Sequence, residues 1–309
     1  IISLPLVFRS LSSVMGYALR AVRNTKTPMI ISAAANGLNI VLNYLLIYTF
    51  GLGVTGAAVA SACSYMLSGV LMVCACFKNE HLNWKIKEFK TDGALLKETA
   101  RVGIPVFGSS AVSCLGYVVF ASLVSGMGTT VFAAHSIAVT AETIFYVPGY
   151  GLRSAASTLV GNARGERNAE KLKEVSRLSI ILTIAVMIVS GAVLYFGSSQ
   201  LMSLFTPSER VIELGAQMLK IVAFSEPFFG LMIVLEGIFY GLGRTKYAFF
   251  VESAGMWAVR ILFTFLCVKV WGLGLHAVWY CMIADNITKA LLFALPFIKK
   301  KIRRKLFTV

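Results

Sequence analysis

Five acidic side chains interrupt long apolar runs of this 309-residue sequence, and they are the residues whose chemistry most needs an explanation. A carboxylate in such a run is costly to bury, so it must bind a proton or a cation, or pair with a basic side chain. The five positions are Glu142, Glu226, Glu236, Glu252 and Asp285.

Glu142 is the first candidate for ion chemistry. It lies in the middle of its apolar run, among Thr140, Thr143 and Tyr146. A carboxylate in this setting could take up a proton or a sodium ion, or face a cationic ligand. The alternative is a structural hydrogen bond to a neighbouring helix. We therefore treat Glu142 and Tyr146 as candidate binding residues.

Glu226 directly precedes Pro227. A proline inside a helix leaves a backbone carbonyl unpaired and bends the helix. A carboxylate beside such a bend could form an ion site. Alternatively, Lys220 or a group on another helix could neutralise Glu226, and both interpretations remain open at this stage.

Two further charged residues, Asp285 and Arg260, are candidates with strong structural alternatives. Asp285 lies four residues before Lys289, so the two can pair on one helix face, which favours a structural role. Arg260 and Glu252 are too far apart along their run for easy direct contact, and each could partner another helix. Arg260 could hold a carboxylate in place or bind an anionic group.

A polar stripe of three asparagines, Asn36, Asn39 and Asn43, lies on one apolar run. Such side chains commonly stabilise helix packing through hydrogen bonds between helices. They could also contribute to a cation site. Two arginines inside apolar runs, Arg9 and Arg153, could reach the membrane surface or pair, and they receive no role here.

The elements that must position these residues are membrane-spanning helices. The chain is 57% hydrophobic and only 14% charged, whereas a soluble domain is about a quarter charged. Several apolar runs reach the roughly 20 residues that cross a bilayer, and their continuous apolarity favours helices over a barrel. The sequence predicts an all-α membrane protein, a polytopic bundle with about nine spans near residues 1–19, 28–49, 54–77, 103–126, 129–160, 178–197, 211–242, 247–270 and 275–298.

The formal charge of +15 would suit a nucleic-acid binder, but its distribution argues against one. Basic residues cluster in every second loop, which is the pattern of cytoplasmic loops in membrane proteins. The C-terminus is therefore predicted to be cytoplasmic. The basic clusters lie at residues 20–26, 78–101, 164–177, 244–246 and 299–305.

An internal repeat organises the chain. The pair Thr25-Lys26 recurs 220 residues later as Thr245-Lys246, and Gly51-Leu-Gly recurs after 221 residues at Gly272. Parallel repeats are typical of secondary transporters, which bind substrate between the halves. The offset places the start of the first half about 120 residues before residue 1, so three further spans are expected upstream and the intact architecture would be two six-helix lobes.

The repeat also divides the chain into predicted domains. Residues 1–77 would form the C-terminal half of the first lobe. The polar segment 78–101 would be a cytoplasmic linker between the lobes. Residues 102–309 would form the second lobe, with its six spans and a basic cytoplasmic tail.

Motifs for enzyme or metal chemistry are absent from the sequence. Six cysteines lie within or beside apolar runs without metal-type spacing, and are expected to be free thiols. Three histidines are scattered singly, and the sequence has no H-E-x-x-H, nucleophile elbow or P-loop. We therefore expect no enzyme activity, although an intramembrane enzyme remains the alternative of a different class.

Several phrases of the sequence resemble the multidrug and toxic compound extrusion (MATE) family, in particular its bacterial NorM- and DinF-like branch. They cover essentially the whole chain, in order. They are Gly53-Val-Thr-Gly-Ala-Ala-Val-Ala60; Ala134-His135, Glu142, Val147-Pro148-Gly149, Leu159-Val160-Gly161-Asn162 and Arg164-Gly165; Gly241-Leu-Gly-Arg-Thr245; and Trp257-Ala-Val-Arg260.

The resemblance implies an antiporter that expels drugs or metabolites, often cationic, in exchange for sodium ions or protons, without an organic cofactor. Some family members have an Asn and an Asp one turn apart as part of a cation site; here Asn39 matches the first, but Asn43 replaces the Asp. Others have a carboxylate where this chain has Ser113, so the coupling ion stays open. A lipid-linked saccharide flippase is the closer alternative, but five mid-span acids favour cation handling.

The remaining expectations concern location and partners. The implied partners are a small-molecule substrate and the lipid bilayer, without nucleic acid. The implied form is a monomer in the bacterial plasma (inner) membrane, crossing it several times.

Overall fold

The computed structural model describes residues 3, 5–82 and 92–297, and the backbone of Ile298. The middle of the predicted linker, residues 83–91, and the basic tail from residue 299 lie outside the described residues. Within the described ranges the chain is helical, with elements α1 (Leu6–Ala21), α2 (Lys26–Asn43), α3 (Gly53–Lys78), α4 (Gly93–Ser125), α5 (Thr129–Gly165), α6 (Ala169–Ser203), α7 (Glu209–Ala223), α8 (Glu226–Gly241), α9 (Thr245–Ala254), α10 (Leu262–Phe265) and α11 (Leu275–Ile298).

π-Helical segments extend two of these helices. Tyr44–Thr49 continues α2, while Gly255–Ile261 and Leu266–Val270 flank α10 and make residues 245–270 one span. Seven helices of the described residues are long and apolar enough to cross a membrane, and the bent pair α7–α8 is an eighth candidate. The remaining predicted span, near residues 1–19, corresponds to α1, a helix of 16 residues. The predicted helical membrane bundle is therefore confirmed.

The span predicted over residues 211–242 corresponds to a bent pair of helices, because the chain breaks between α7 and α8. The two helices meet at an angle of 58°. Pro227 lies in the first turn of α8, where its missing N–H costs nothing. The bend expected beside Glu226 is thus present, and Glu226 is the first residue of the second half-helix.

The predicted linker is shorter than expected at its C-terminal end. Residues 93–101 belong to α4, which begins at Gly93. Lys, Glu and Arg have good helix propensity, so a polar stretch in front of an apolar span can extend the helix beyond the membrane. Polarity by itself did not distinguish that extension from a loop.

The internal repeat is confirmed in the backbone of the turns. Arg23 and Gly243 stand 220 residues apart, and both have φ 66°. The N–H groups of Asn24 and Arg244, one residue later in each copy, bond back to carbonyls five residues earlier at 3.0 and 2.9 Å. Such 6→1 bonds after a left-handed residue close the ends of many helices. The two copies therefore share a turn structure as well as sequence letters.

The outer turns of the two copies also match. Gly51 and Gly272 have φ 66° and 63°, and each follows a π-helical segment. In each copy the next residue, Leu52 or Leu273, donates its N–H to a carbonyl six residues earlier, at 3.0 and 2.8 Å. Glycine suits these positions because it adopts positive φ without a steric cost.

The chain forms two compact units, Ile1–Asp92 and Gly93–Val309. Assignment of these units to lobes of a larger transporter stays a prediction. In the second unit, α8 lies at the centre and packs against α5, α6 and α11. Close approach depends on glycine: a Cβ on Gly237 would lie 2.5 Å from the Arg153 carbonyl oxygen, and one on Gly241 would lie 2.5 Å from that of Ser157. Small residues at four-residue spacing allow such close helix contacts in membranes.

Candidate functional site

The second unit encloses a cavity of about 470 Å³, lined by residues of α4, α5, α8, α9, the π-helical segment after α9, and α11. Helical spacing explains which side chains face it. The α5 residues that line it include Glu142, Tyr146, Tyr150 and Arg153, spaced by three or four residues along one face. The cavity is therefore a product of helices packed around a polar interior.

Glu142 is fully buried at this cavity. One carboxyl oxygen, Oε1, accepts a hydrogen bond from the hydroxyl of Tyr146 one turn later. Within the described residues the other oxygen, Oε2, has no hydrogen-bond partner. Tyr146 is held in place by stacking on Phe229 of α8, with ring centroids 4.1 Å apart. Glu142 thus keeps one oxygen available to a proton, an ion or a ligand.

A first ion pair, between α5 and α8, neutralises Glu236. Arg153 Nη1 lies 2.8 Å from Glu236 Oε2. The hydroxyl of Tyr240 donates to the other oxygen, Oε1, at 2.6 Å. Both oxygens of Glu236 are therefore occupied, which is how a buried carboxylate is stabilised in its charged form.

A second network surrounds Arg260. Its Nε donates to Asp285 Oδ2 at 2.8 Å, and its Nη2 donates to Asn286 Oδ1 at 3.3 Å. Lys289 Nζ lies 3.2 Å from the same Asp285 oxygen and 3.0 Å from Glu252 Oε2. The predicted Asp285–Lys289 pair is confirmed. Arg260 and Glu252 each find a partner on α11.

One glycine allows this network to form. Gly255 begins the π-helical segment that carries Arg260. A Cβ at Gly255 would lie 2.4 Å from Asp285 Oδ1 and 2.4 Å from Lys289 Cε. The absence of a side chain therefore lets α11 bring Asp285 and Lys289 against the backbone of the neighbouring span.

Three of the five acids in the apolar spans are paired with bases of the described residues, and the other two are not. In the described part of the chain, the three bases of the cavity, Arg153, Arg260 and Lys289, pair with Glu236, Glu252 and Asp285. Among those residues Glu142 and Glu226 have no basic partner. An uncompensated buried carboxylate is tolerated only with a proton, a cation or a mobile ligand.

Glu226 is buried at the break between α7 and α8, and does not line the cavity. Among the described residues neither of its carboxyl oxygens has a hydrogen-bond partner. Lys220, which the sequence offered as a possible partner of Glu226, is exposed. It lines an apolar groove that does not include Glu226. A Cβ on Gly191 of α6 would lie 2.6 Å from the Ala223 carbonyl oxygen and 3.3 Å from Glu226 Cβ, so α6 seals the break closely.

The asparagine stripe lies in the first unit, apart from these acids. Asn36 and Asn39 line a second, smaller cavity there. Asn43 donates to Asn39 Oδ1 at 3.0 Å, which is a bond within one helix. The interhelical hydrogen bonds that the stripe was expected to provide are not seen for this pair.

The structure therefore brings three of the sequence candidates, Glu142, Tyr146 and Arg260, to one cavity, with Asp285 behind Arg260. Sequence reasoning missed Arg153 and Asn286 as members of the site. Asn286 follows Asp285 directly, so its neighbour could have pointed to it. No local signal identifies Arg153, whose partner Glu236 is 83 residues away.

Comparison with known proteins supports this organisation. The profile of the family described as MatE matches residues 105–266. A Thermotoga maritima protein named probable multidrug resistance protein NorM is 30% identical over 296 residues, covering 94% of this chain and 64% of that protein. Human multidrug and toxin extrusion protein 1 is 27% identical, covering 86% of this chain and 47% of that protein. The chain thus spans less than two thirds of the length of these relatives.

Solved structures show the same fold. The chain is similar to the outward-facing conformation of a multidrug resistance MATE family transporter, with a TM-score of 0.88, 23% identity and coverage of 96% of this chain and 65% of that one. A crystal structure of MATE in the straight conformation has a TM-score of 0.87, again with 23% identity, covering 96% of this chain and 66% of that one. At this identity the likeness concerns the fold alone.

Proposed function

Because this chain belongs to the MatE family, we propose that the full-length protein is a secondary antiporter that exports cationic or amphipathic drugs or metabolites in exchange for sodium ions or protons. The names of its relatives in Thermotoga and human support an export function. We propose that it acts as a monomer, in the bacterial inner membrane, and not as an enzyme.

The observation that carries this proposal is that, among the described residues, only some of the five acids in the apolar spans are paired with a base. Three are balanced by fixed bases, while Glu142 keeps a free oxygen at a cavity large enough for a small molecule. Ligand pockets typically measure about 300–1,000 Å³. A carboxylate with no fixed counter-charge can bind either a proton or sodium ion, or a cationic substrate, but not both at once. This competition would couple the inward movement of the ion to the export of the substrate.

Glu226 is a second ion-binding candidate in this proposal. It begins the second half of a broken helix, where the helix dipole favours negative charge. Discontinuous helices commonly carry the coupling-ion sites of secondary transporters. Among the described residues of the chain, however, no group of three His, Cys, Asp or Glu is arranged to hold a metal ion, so a sodium site would need backbone or hydroxyl oxygens.

The antiport itself is tested with the full-length protein in proteoliposomes. We expect an imposed gradient of either protons or sodium ions to drive transport of ethidium, a cationic dye, in the opposite direction without ATP. Ionophores that dissipate the effective gradient should stop the transport, and liposomes without protein are the control. Ethidium movement that responds to neither gradient would contradict antiport.

The orientation is a separate proposal, based on the alternation of basic loops. We expect a cysteine replacing Lys173, near the start of α6, to face the cytoplasm, and one replacing Ser208, just before α7, to face outside. Both native side chains are exposed. In intact cells expressing a background without native cysteines, a membrane-impermeant maleimide should label Ser208→Cys but not Lys173→Cys. The reverse labelling pattern would show that the topology is inverted.

A further inference from the structure

The first unit has a polar cavity of its own, in which the charged side chain of the lining is an arginine. This cavity measures about 340 Å³ and is lined by α1, α2 and α3. Its lining consists of one arginine, six serines, two asparagines, one tyrosine and one alanine. A nearly all-polar cavity between apolar helices is costly unless it serves a ligand, water or an ion.

Arg9 is the only charged residue of this lining. Its guanidinium lies over the ring of Tyr65, 5.3 Å from the ring centroid. Stacking of this kind leaves the N–H groups at the edge of the guanidinium available for hydrogen bonds. Arg9 is not covered by α1, α2 or α3, since its side chain is exposed among them.

Arg9 differs from Arg153 and Arg260, the arginines that line the cavity of the second unit, because the helices around Arg9 contain no acidic residue. Residues 1–79 contain no Asp or Glu, so α1, α2 and α3 offer Arg9 no carboxylate. By contrast, Arg153 and Arg260 are each 2.8 Å from a carboxylate oxygen. Within α1, α2 and α3, Arg9 therefore has no carboxylate with which to pair.

The hydroxyl groups around Arg9 suit an anion. Ser12 and Ser68 bond to each other at 2.7 Å. Ser13, Ser32 and Ser61 also line the cavity, and the described part of the chain shows no hydrogen bond from their hydroxyls. Serine hydroxyls can turn to donate to an acceptor, and arginine donates in a fork that matches carboxylate and phosphate oxygens.

We propose that this cavity binds an oxyanionic group, a carboxylate or a phosphate, through Arg9 and the neighbouring serine hydroxyls. A sodium ion would be repelled by Arg9, and Asn36 and Asn39 of the same lining would belong to this anion site. The proposal rests on α1, α2 and α3 alone. It stands or fails independently of Glu142 and of antiport.

The test uses the full-length protein in nanodiscs of neutral phosphatidylcholine and two dyes with one ring system. Rhodamine 110 has a free carboxylate, and rhodamine 123 is its methyl ester. We expect Arg9→Gln to weaken rhodamine 110 binding by about 10-fold or more, since a hydrogen bond to a charged group contributes about 1.5–3 kcal/mol. Rhodamine 123 binding should change less than about 2-fold, and Arg9→Lys should keep part of the rhodamine 110 affinity.

Arg20→Gln is the matched control. Arg20 is on the same helix and also lies over a tyrosine ring, that of Tyr17 at 4.9 Å, but it does not line the cavity. This variant should bind both dyes as the wild type does. Glu142→Gln should leave the dependence of rhodamine 110 binding on Arg9 unchanged, which separates this result from any failure of the antiport proposal.

A lipid arm distinguishes two sources of the anion. Adding phosphatidylglycerol to the nanodiscs weakens rhodamine 110 binding to the wild type, but not to Arg9→Gln, if a lipid phosphate occupies the site. The absence of any effect of phosphatidylglycerol excludes an anionic lipid as the competitor and assigns the site to an oxyanion of a soluble molecule. Equal losses of both dyes in Arg9→Gln, or rhodamine 110 binding that is absent or independent of Arg9, would overturn the proposal.

Discussion

Replacing Glu142 with glutamine in the full-length protein is expected to reduce gradient-driven drug efflux to the level of cells or liposomes without the transporter. Glutamine keeps the size of the side chain and a hydrogen-bond acceptor for Tyr146, but it cannot release a proton or carry a negative charge. Efflux should be measured at matched membrane expression, over a range of pH and sodium concentration.

Glu142→Asp should retain part of the efflux. The carboxylate remains, but its shorter side chain moves the charge away from the hydroxyl of Tyr146. Glu213→Gln is the matched control, since it makes the same substitution at an exposed acid of α7 that does not line the cavity. This control should transport like the wild type.

The decisive outcome concerns both rate and pH dependence. If Glu142→Gln supports efflux at the wild-type rate and with the same pH dependence, Glu142 has only a structural role. Glu226 would then be the leading candidate, because it is the other buried acid without a basic partner among the described residues. Asp285 would follow it.

Removing the charge of Asp285 is expected to have the largest effect on stability. Asp285→Asn leaves Arg260 and Lys289, both buried, without the carboxylate oxygen that they share. Breaking a buried ion pair from one side typically costs about 3–5 kcal/mol. We therefore expect the melting temperature in detergent to fall by roughly 10 °C.

A double-mutant cycle distinguishes the ion pair from general damage to the helix. The double variant Arg260→Gln with Asp285→Asn should lose less free energy of unfolding than the sum of the losses in the two single variants. Each single variant leaves a buried charge without its partner, whereas the double variant removes both charges of the pair. Additivity of the two losses within about 0.5 kcal/mol would show that the pair is not coupled.

Gly255→Ala tests the same network without changing a charge. Helix propensity alone predicts that alanine stabilises a helical position by up to about 1 kcal/mol. The added Cβ, however, would meet Asp285 and Lys289 at 2.4 Å, so we expect destabilisation. Gly274→Ala is the control, since its Cβ would meet nothing within 4 Å. A Gly255→Ala protein as stable as the wild type would contradict the close packing of α11 on this segment.

Several features of this protein follow from the sequence without knowledge of the fold. Apolar runs of bilayer length predict the spans, and Pro227 predicts the bend beside Glu226, because these signals are local. The Asp285–Lys289 pair follows from four-residue spacing on a helix. The repeat of Thr25-Lys26 at Thr245-Lys246 reflects two turns with the same backbone conformation.

Other features depend on contacts between distant segments. The sequence did not specify the 58° angle at the break between α7 and α8, nor that α4 begins at Gly93 in a polar stretch that resembles a loop. Asparagine spacing suggested interhelical bonds, but the bond seen joins Asn39 and Asn43 within α2. The spacing of the asparagines allows a bond within the helix as well as bonds to a neighbouring helix, so the pattern alone does not choose between them.

Only the tertiary structure decided which buried charges are balanced. In the sequence, Glu142, Glu226 and Glu236 are carboxylates in apolar runs without an assigned partner, whereas Asp285 already has Lys289 one turn away. Packing of α8 against α5 brings Arg153 to Glu236, and packing of α11 against the π-helical segment brings Asp285 to Arg260, 25 residues away. A charge is neutralised by the groups within a few ångströms of it, and in a helical bundle those groups come from other helices. For that reason the sequence could offer Glu142 as a first candidate, but the fold was required to show that Glu142 and Glu226 are the acids without a basic partner among the described residues.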